Sequence, residues 1–141
     1  MDHSSTLIPP YLVRLAGEAN ELGALHFWEN SELFPNGIQR CFWITHIAAE
    51  ETRGNHAHWK ESQVLVALSG KVQIEVLSAA GDSYSFDLNS AGVGLLVPPL
   101  HWIVVRFGPG AVLLGMSDQQ FSEEDYIRDK DYFEKLKKRY H

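Results

Sequence analysis

The stretch Lys71-Val72-Gln73-Ile74-Glu75-Val76-Leu77 alternates polar and apolar side chains, which predicts a β-strand with one buried face. Strand candidates lie on either side of it. Gln63 to Leu68 is a continuous β-type run that reaches it through the turn Ser69-Gly70. Tyr84 to Leu88 alternates again after the turn Gly81-Asp82. The middle of the chain therefore predicts a series of short strands.

Further strand candidates continue this spacing towards both ends of the chain. They are Gly23 to Trp28, Cys41 to Ile47, Val93 to Val97, Val104 to Phe107 and Val112 to Met116. The strand at Val93 is expected to stop at Pro98-Pro99, because proline cannot donate to a strand ladder. So many short strands at near-regular spacing predict an all-β fold, either a sandwich or a barrel.

The C-terminal residues predict one helix, over about 123–140. Ser122 stands before three acidic residues, as an N-cap residue does before an acidic first turn. Beyond Asp129, apolar residues recur at helical spacing, so we expect this helix to pack on the outside of the β-structure. No internal repeat or linker divides the sequence, and residues 1–141 are predicted to form one domain.

Composition and charge disfavour several classes of protein. The net charge is −6, with no basic patch apart from the short tail at 135–139, which argues against a nucleic-acid partner. The longest apolar stretch, Val93 to Pro99, is too short to cross a membrane, and Met1 to Ser5 lacks the pattern of a signal peptide. A single cysteine suits a reducing compartment, so we predict a cytoplasmic protein with Cys41 as a buried strand residue.

The segment Arg53-Gly54-Asn55-His56-Ala57-His58 carries the most informative motif. Four residues follow it before Gln63, and six more before Gly70. This spacing resembles the first motif of the cupins, in which a glutamate stands where Gln63 is here. Side chains at positions i and i+2 of a strand share one face, so His56 and His58 are expected to enter the barrel together, with Gln63 facing them.

The ligand count argues against a catalytic metal. Where the second cupin motif places its last histidine, this chain has Ile103, and the nearby His101 is offset by two residues. Two histidines and a neutral amide are a poor divalent-metal site, because such sites need three or four good donors. We therefore predict no catalytic metal, with a metal-dependent cupin enzyme as an alternative hypothesis.

Without a metal, the two imidazoles form a natural acid/base pair. The pKa of an unperturbed histidine is about 6.5, so either ring can exchange a proton near neutral pH. Two adjacent rings raise the cost of double protonation, which favours one neutral and one charged ring. The alternative is that both rings are structural residues, hydrogen-bonded on the barrel wall.

The chain resembles one cupin family in particular, the 3,4-ketoisomerases that act on nucleotide-linked 4-keto-6-deoxyhexoses. The resemblance runs from about Gly37 to the C-terminus and rests on the histidine segment 53–58, on Gln63-Val64-Leu65, on Gly94 to Pro99 followed by Trp102, and on Asp125-Tyr126-Ile127-Arg128. It implies a cupin (RmlC-like) jelly-roll barrel and a homodimer with exchanged N-terminal strands. It also implies a cofactor-free conversion of TDP-4-keto-6-deoxyglucose to a 3-keto sugar, within deoxysugar biosynthesis.

The resemblance also implies roles for individual residues. His56 is the proton shuttle, and His58 is a second acid/base or a polariser of the sugar oxygens. Arg53 stabilises the enediolate or orients the sugar. Arg128 is a candidate for the diphosphate, with a surface salt bridge to a neighbouring aspartate as its alternative. The other substrate-binding candidates are Gln63, Trp43, Trp102 and Tyr126, of which Trp102 either stacks on the ligand or caps the barrel mouth.

Three positions depart from the family pattern. A tyrosine that serves the active site usually occupies the position of Trp43, an Arg-Gly pair appears here as Leu22-Gly23, and a histidine commonly follows the barrel-mouth tryptophan where this chain has Ile103. Each change removes a polar group from the expected pocket. We therefore rank a sugar-nucleotide ketoisomerase first, a nucleotide-sugar-binding cupin without catalysis second, and a metal-dependent cupin enzyme third.

Overall fold

In the computed structural model, which describes residues 7–48 and 51–141, two antiparallel five-stranded sheets lie face to face. The strands are β1 (Tyr11–Arg14), β2 (Ala16–Asn20), β3 (Gly23–Phe27), β4 (Arg40–Ile44), β5 (Thr52–His58), β6 (Gln63–Ser69), β7 (Val72–Ser78), β8 (Ser83–Leu88), β9 (Val93–Val97), β10 (His101–Phe107), β11 (Val112–Ser117) and β12 (Tyr126–Ile127). The helical elements are a 3-10 turn at Glu123–Asp125, α1 (Lys130–Lys135) and α2 (Lys137–Tyr140). The signal-peptide prediction concerns Met1 to Ser5, which lie outside the described residues.

The order of the strands is that of a jelly roll. One sheet runs β1-β9-β6-β11-β4, the other runs β12-β5-β10-β7-β8, and β2 and β3 form a separate hairpin. All strand candidates from the sequence are confirmed, although β10 begins at His101 rather than Val104 and β4 ends at Ile44. Within the described ranges no ladder of hydrogen bonds joins the two sheets, so the predicted barrel is a pair of facing sheets.

The space between the sheets holds the main hydrophobic core. Side chains alternate along each strand, so odd-numbered residues of β6, β9, β10 and β11 point inwards together with even-numbered residues of β7. The buried members are Leu65, Ala67, Val72, Ile74, Val76, Leu88, Leu95, Val97, Ile103, Val105, Ala111 and Leu113. Each fully buried Val, Leu or Ile side chain contributes about 1.5–3 kcal/mol, so this cluster is a main source of stability.

The C-terminal helices cover the outer face of the second sheet, as the sequence predicted. Phe133 and Leu136 are buried there, and the ring centroid of Phe133 lies 5.7 Å from that of Trp102 on β10. The predicted start of the helix at about residue 123 is wrong. Ser122 makes no side-chain cap, and the capping residue is Asp129, whose carboxylate accepts a hydrogen bond from the N–H of Tyr132.

A short strand replaces the first part of the predicted helix. Tyr126 and Ile127 pair with His58 and Ala57 of β5 and so add β12 to the sheet. The pairing satisfies backbone groups that the edge of β5 would otherwise leave open. This long-range partner outweighs the local helical signal of the acidic residues before it.

Several apolar residues near the N-terminus are exposed. Cys41, predicted to be buried, is exposed because it alternates with the inward residues Arg40 and Phe42 on β4, the last strand of its sheet. The β2–β3 hairpin presents Leu25 and Leu22, and the Leu22 side chain is 98% exposed. Among the helices of the described residues, none has the length and apolar character that crossing a membrane requires.

Candidate active site

A cavity of about 280 Å³ opens between the two sheets and contains the predicted histidine segment. Its lining residues are Arg40, Phe42, Ile44, Arg53, Gly54, His56, Gln63, Leu65, Ile103, Val105, Leu113, Phe121 and Tyr126. Larger grooves lie on the outer surface; one of about 600 Å³ along α2 holds no predicted site residue, and one of about 440 Å³ holds Trp102 alone among them. The candidate catalytic residues therefore line this cavity, although larger grooves exist elsewhere on the protein.

A β-bulge in β5 turns Arg53 towards the cavity. His56 pairs with Ile103 and Arg53 pairs with Val105, whereas simple alternation would give Arg53 the opposite face from His56. The extra residue is accommodated at Gly54 and Asn55, whose φ angles are 89° and 57°. A β-carbon at Gly54 would stand 2.8 Å from the carbonyl oxygen of Ile103, so only glycine fits there.

His56 presents one ring nitrogen for chemistry. Its Nδ1 lies 3.0 Å from the carbonyl oxygen of Gly54 and donates to it, which leaves the lone pair on Nε2. Burial, and then the neighbouring His58, lower the pKa of His56 to about 4. The ring is therefore neutral near pH 7 and able to accept a proton.

His58 lies behind His56 and does not line the cavity. The ring centroids are 5.0 Å apart, and the His58 Nδ1 is 3.4 Å from the Asp125 carboxylate. Burial lowers the pKa of His58 to about 4, against the opposing effect of Asp125. Both rings are thus neutral near pH 7, and the expectation of one neutral and one charged ring is wrong. His58 thus contacts His56 and does not reach the cavity.

A buried carboxylate that the sequence analysis did not single out joins three of these elements. Glu61 is 2% exposed, and its Oε2 accepts hydrogen bonds from Arg40 Nη2 at 2.7 Å and from Gln63 Nε2. Its Oε1 is 3.8 Å from the Nδ1 of His58. Arg40 was missed as well, because an arginine at the start of a strand carries no motif. Gln63 lines the same cavity as His56.

Tyr126 lines the cavity, and Arg128 contacts it from outside the lining. The ring centroid of Tyr126 is 4.9 Å from that of His56 and 4.2 Å from that of His58, and burial raises the pKa of its hydroxyl. The Arg128 guanidinium lies over the Tyr126 ring at 4.1 Å. It also pairs with both carboxylate oxygens of Glu123, at 2.6 and 2.9 Å, and not with a neighbouring aspartate.

Two predicted substrate-binding tryptophans point away from the cavity. Trp43 is 68% exposed on the outer face of β4, and Phe42 is the residue that turns inwards. Trp102 alternates with the inward-facing Ile103 and is buried under Phe133, so it lies on the opposite face of β10 from the cavity. His101 is also outside the cavity, with its Nδ1 2.8 Å from the Pro99 carbonyl oxygen.

One group of potential metal ligands comes together in the part of the chain that the structure describes. The nearest donor atoms of His58, Glu61 and Asp125 lie within 4.8 Å of one another. Both carboxylates already accept hydrogen bonds, Glu61 from Arg40 and Asp125 from the N–H groups of Lys60 and Glu61. A cation would have to compete with the Arg40 guanidinium, so this donor set fits a hydrogen-bonded network better than a metal centre.

Comparison with known proteins gives relatives over most of the chain. The family model described as FdtA: WxcM-like, C-terminal matches residues 10–138. The TDP-4-oxo-6-deoxy-alpha-D-glucose-3,4-oxoisomerase of Aneurinibacillus thermoaerophilus is 35% identical over 114 residues, which cover 80% of this chain and 81% of that protein.

Solved structures agree with this result. QdtA, a sugar 3,4-ketoisomerase from Thermoanaerobacterium thermosaccharolyticum in complex with TDP, has a TM-score of 0.84 and 32% identity, covering 92% of this chain and 94% of that chain. A histidine-to-asparagine mutant of QdtA in complex with TDP-4-keto-6-deoxyglucose has a TM-score of 0.85 and 32% identity, covering 92% and 95%. The predicted cupin jelly roll and the family resemblance are confirmed. This chain belongs to the FdtA (WxcM-like, C-terminal) family.

Proposed function

We propose that this protein is a 3,4-ketoisomerase of a nucleotide-linked 4-keto-6-deoxyhexose in deoxysugar biosynthesis, and that it works without a metal or cofactor. The observation that carries the proposal is the neutral His56, whose Nε2 is the available base on the wall of the cavity. Relatives at 35% and 32% identity are named for this isomerisation of TDP-linked sugars. A shift of a keto group between adjacent carbons needs a proton shuttle and no external oxidant.

The reaction follows from moving protons between carbons C3 and C4 of the sugar. His56 Nε2 takes the proton from C3, the C3–H electrons form a C3–C4 double bond, and the C4 carbonyl oxygen becomes the enediolate oxygen. The O3 hydroxyl proton then passes to the C4 oxygen and the imidazolium returns its proton to C4, so that C3 becomes the ketone and C4 carries the hydroxyl. Arg53, on the same wall, supplies positive charge to the enediolate.

The size of the cavity limits which part of the substrate enters it. Sites for drug-sized ligands occupy about 300–1,000 Å³, so a cavity of about 280 Å³ suits the hexose and leaves the nucleoside diphosphate at the mouth. Arg128 stacks on the lining residue Tyr126 from outside the cavity and is the candidate for the diphosphate. Since Glu123 already holds two of its nitrogens, we expect Arg128 to contribute only part of the binding energy.

Proton NMR in heavy water tests the proposal. With freshly made TDP-4-keto-6-deoxyglucose, the protein is expected to exchange deuterium into the carbons beside the ketone and to form a 3-keto sugar. His56→Asn is expected to abolish both, because asparagine cannot accept the proton. The matched control is His46→Asn at an exposed residue whose φ of 58° asparagine tolerates. Absence of exchange by the wild-type protein with TDP- and UDP-linked 4-keto sugars would defeat the proposal.

The second candidate is a cupin that binds the nucleotide sugar without converting it. The observation in its favour is the apolar character of the wall, where Phe42 and Ile103 offer no hydroxyl or imidazole to the sugar. This candidate predicts saturable binding in calorimetry together with an unchanged sugar and no deuterium exchange. Turnover in the NMR assay rejects it.

We also propose that each chain is one cupin domain and that two chains form a homodimer in the cytoplasm by exchanging N-terminal strands. The β2–β3 hairpin supports this, because Leu22, Leu25 and Phe27 are exposed on it although they are apolar. A second copy would cover them. Sedimentation should give a dimer for the wild type and more monomer for Phe27→Asp. A wild-type monomer at micromolar concentration contradicts the proposal.

A further inference from the structure

We propose that Glu61 is a positioning residue whose buried carboxylate fixes Arg40 and Gln63 on the cavity wall, so that one cationic donor and one amide acceptor meet the two oxygens of the reacting carbons. The inference rests on the proposed isomerase function and deepens it. Glu61 itself does not line the cavity and would act only through its two partners.

The backbone holds Glu61 in place. It lies in the turn between β5 and β6, and the carboxylate of Asp125 accepts hydrogen bonds from the N–H groups of Lys60 and Glu61 at 2.8 and 3.1 Å. A neutral or mobile side chain at such a buried position would be simpler to accommodate, because burying a carboxylate is costly unless it is paired. A buried carboxylate paired with a cavity-lining arginine therefore points to a use for the charge.

Arg40 is the first partner. One of its terminal nitrogens, Nη2, donates to Glu61, and its guanidinium carbon lies 5.7 Å from the Phe42 ring centroid and 5.8 Å from that of Phe121. The other, Nη1, is buried and makes no hydrogen bond to any residue that the structure describes. Arg40 is thus a fixed cation on the lining with donor capacity left over.

Gln63 is the second partner. Its Nε2 donates to Glu61, so the amide orientation is set and Oε1 is the atom left to accept from a ligand. A hydroxyl next to a ketone offers one donor and one acceptor. Arg40 and Gln63 match that pair as donor and acceptor, and the two sugar oxygens exchange these roles as the keto group moves from C4 to C3.

The test is Glu61→Gln, which keeps the shape of the side chain and removes its charge. The amide oxygen can still accept both hydrogen bonds, but it carries no charge to pair with the Arg40 guanidinium, which is then no longer fixed; kcat is therefore expected to fall about 10²–10³-fold, the effect of losing one oxyanion donor. KM and the Kd for TDP should stay within about threefold, because the nucleotide lies outside the cavity. The matched control is Glu75→Gln, which removes an exposed ion pair with Arg106 and should leave kcat unchanged.

Two results overturn the inference. One is a Glu61→Gln enzyme with kcat within about threefold of the wild type, and the other is a rise in KM with kcat unchanged. Should Glu61→Gln fail to fold, Arg40→Met combined with Glu61→Met is measured instead, since apolar residues often replace a buried ion pair without loss of stability. A folded double variant that keeps its kcat overturns the inference too. A wild type that shows no exchange overturns the proposed function first, so the two failures are distinguishable.

Discussion

Lowering the pH from 7.5 to 5.5 should leave the proposed isomerase almost fully active. At pH 5.5 a histidine with the ordinary pKa of about 6.5 is only about 10% neutral, whereas one with a pKa of about 4 is roughly 97% neutral. Burial against the cavity wall lowers the pKa of His56 to about 4. The folded protein therefore disfavours the His56 imidazolium by about 3 kcal/mol, at about 1.4 kcal/mol per pH unit.

The assay is deuterium exchange into the sugar across pH 3.5–8, with kcat/KM taken from initial rates. The free enzyme's base sets the acidic limb of kcat/KM, so we expect a plateau down to about pH 5 and a midpoint near 4. A midpoint between pH 6 and 7 would refute the reasoning, because it would mean that water reaches His56 in the free enzyme.

The same burial has a consequence for stability with a definite sign. The folded pKa values of His56 and His58 are about 4 and the unfolded ones about 6.5, so between these values the unfolded chain binds more protons. The free energy of unfolding should be constant above pH 6.5 with respect to these groups and fall by about 1 kcal/mol per histidine on reaching pH 5.5. Urea unfolding of His58→Asn should show a smaller loss than wild type, and His46→Asn the wild-type loss.

Three further outcomes follow from the geometry. Gly54→Ala should lower the free energy of unfolding by roughly 1–3 kcal/mol and reduce activity, because φ is 89° and the added methyl meets Ile103. The control Gly37→Ala, at φ 78° with open space around it, should lower the free energy of urea unfolding less and leave the activity unchanged. Phe133→Ala should lower the unfolding free energy by about 3–5 kcal/mol, measured in urea, because the side chain is 1% exposed. Tyr126→Phe keeps the ring contacts and should lower kcat up to about tenfold by removing a hydroxyl that burial keeps protonated.

Regular alternation made the fold predictable from the sequence. A strand with one buried face needs an apolar residue at every second position, so the repeat at 71–77 and its neighbours located eight strands. The strands at 11–14 and 16–20 were missed because they are short and mostly exposed, and exposure removes the pressure for alternation.

The site could be predicted only as far as alternation holds. His56 and His58 share a face as positions two apart must, but the bulge after Arg53 cannot be read from the spacing, and it is what brings that arginine to the cavity. Neighbouring residues of a strand face opposite sides, so an assignment that is wrong by one position exchanges the inward and the outward side chain. The aromatic residue that β4 places on the wall is therefore Phe42 and not Trp43.

The remaining parts of the site come from segments far apart in the sequence. Arg40 reaches Glu61 from 21 positions away, and Asp125 reaches the backbone of Glu61 from 64 positions away. Neither contact leaves a local pattern, since each joins single polar residues through a buried space. The two histidines could be predicted because one strand holds both. The network that orients the site instead depends on three separate segments, β4, the residues at the start of β12 and the turn before β6, which meet at one end of the sheets. A substitution in any of these distant segments should therefore change the chemistry of His56 without touching the histidine segment.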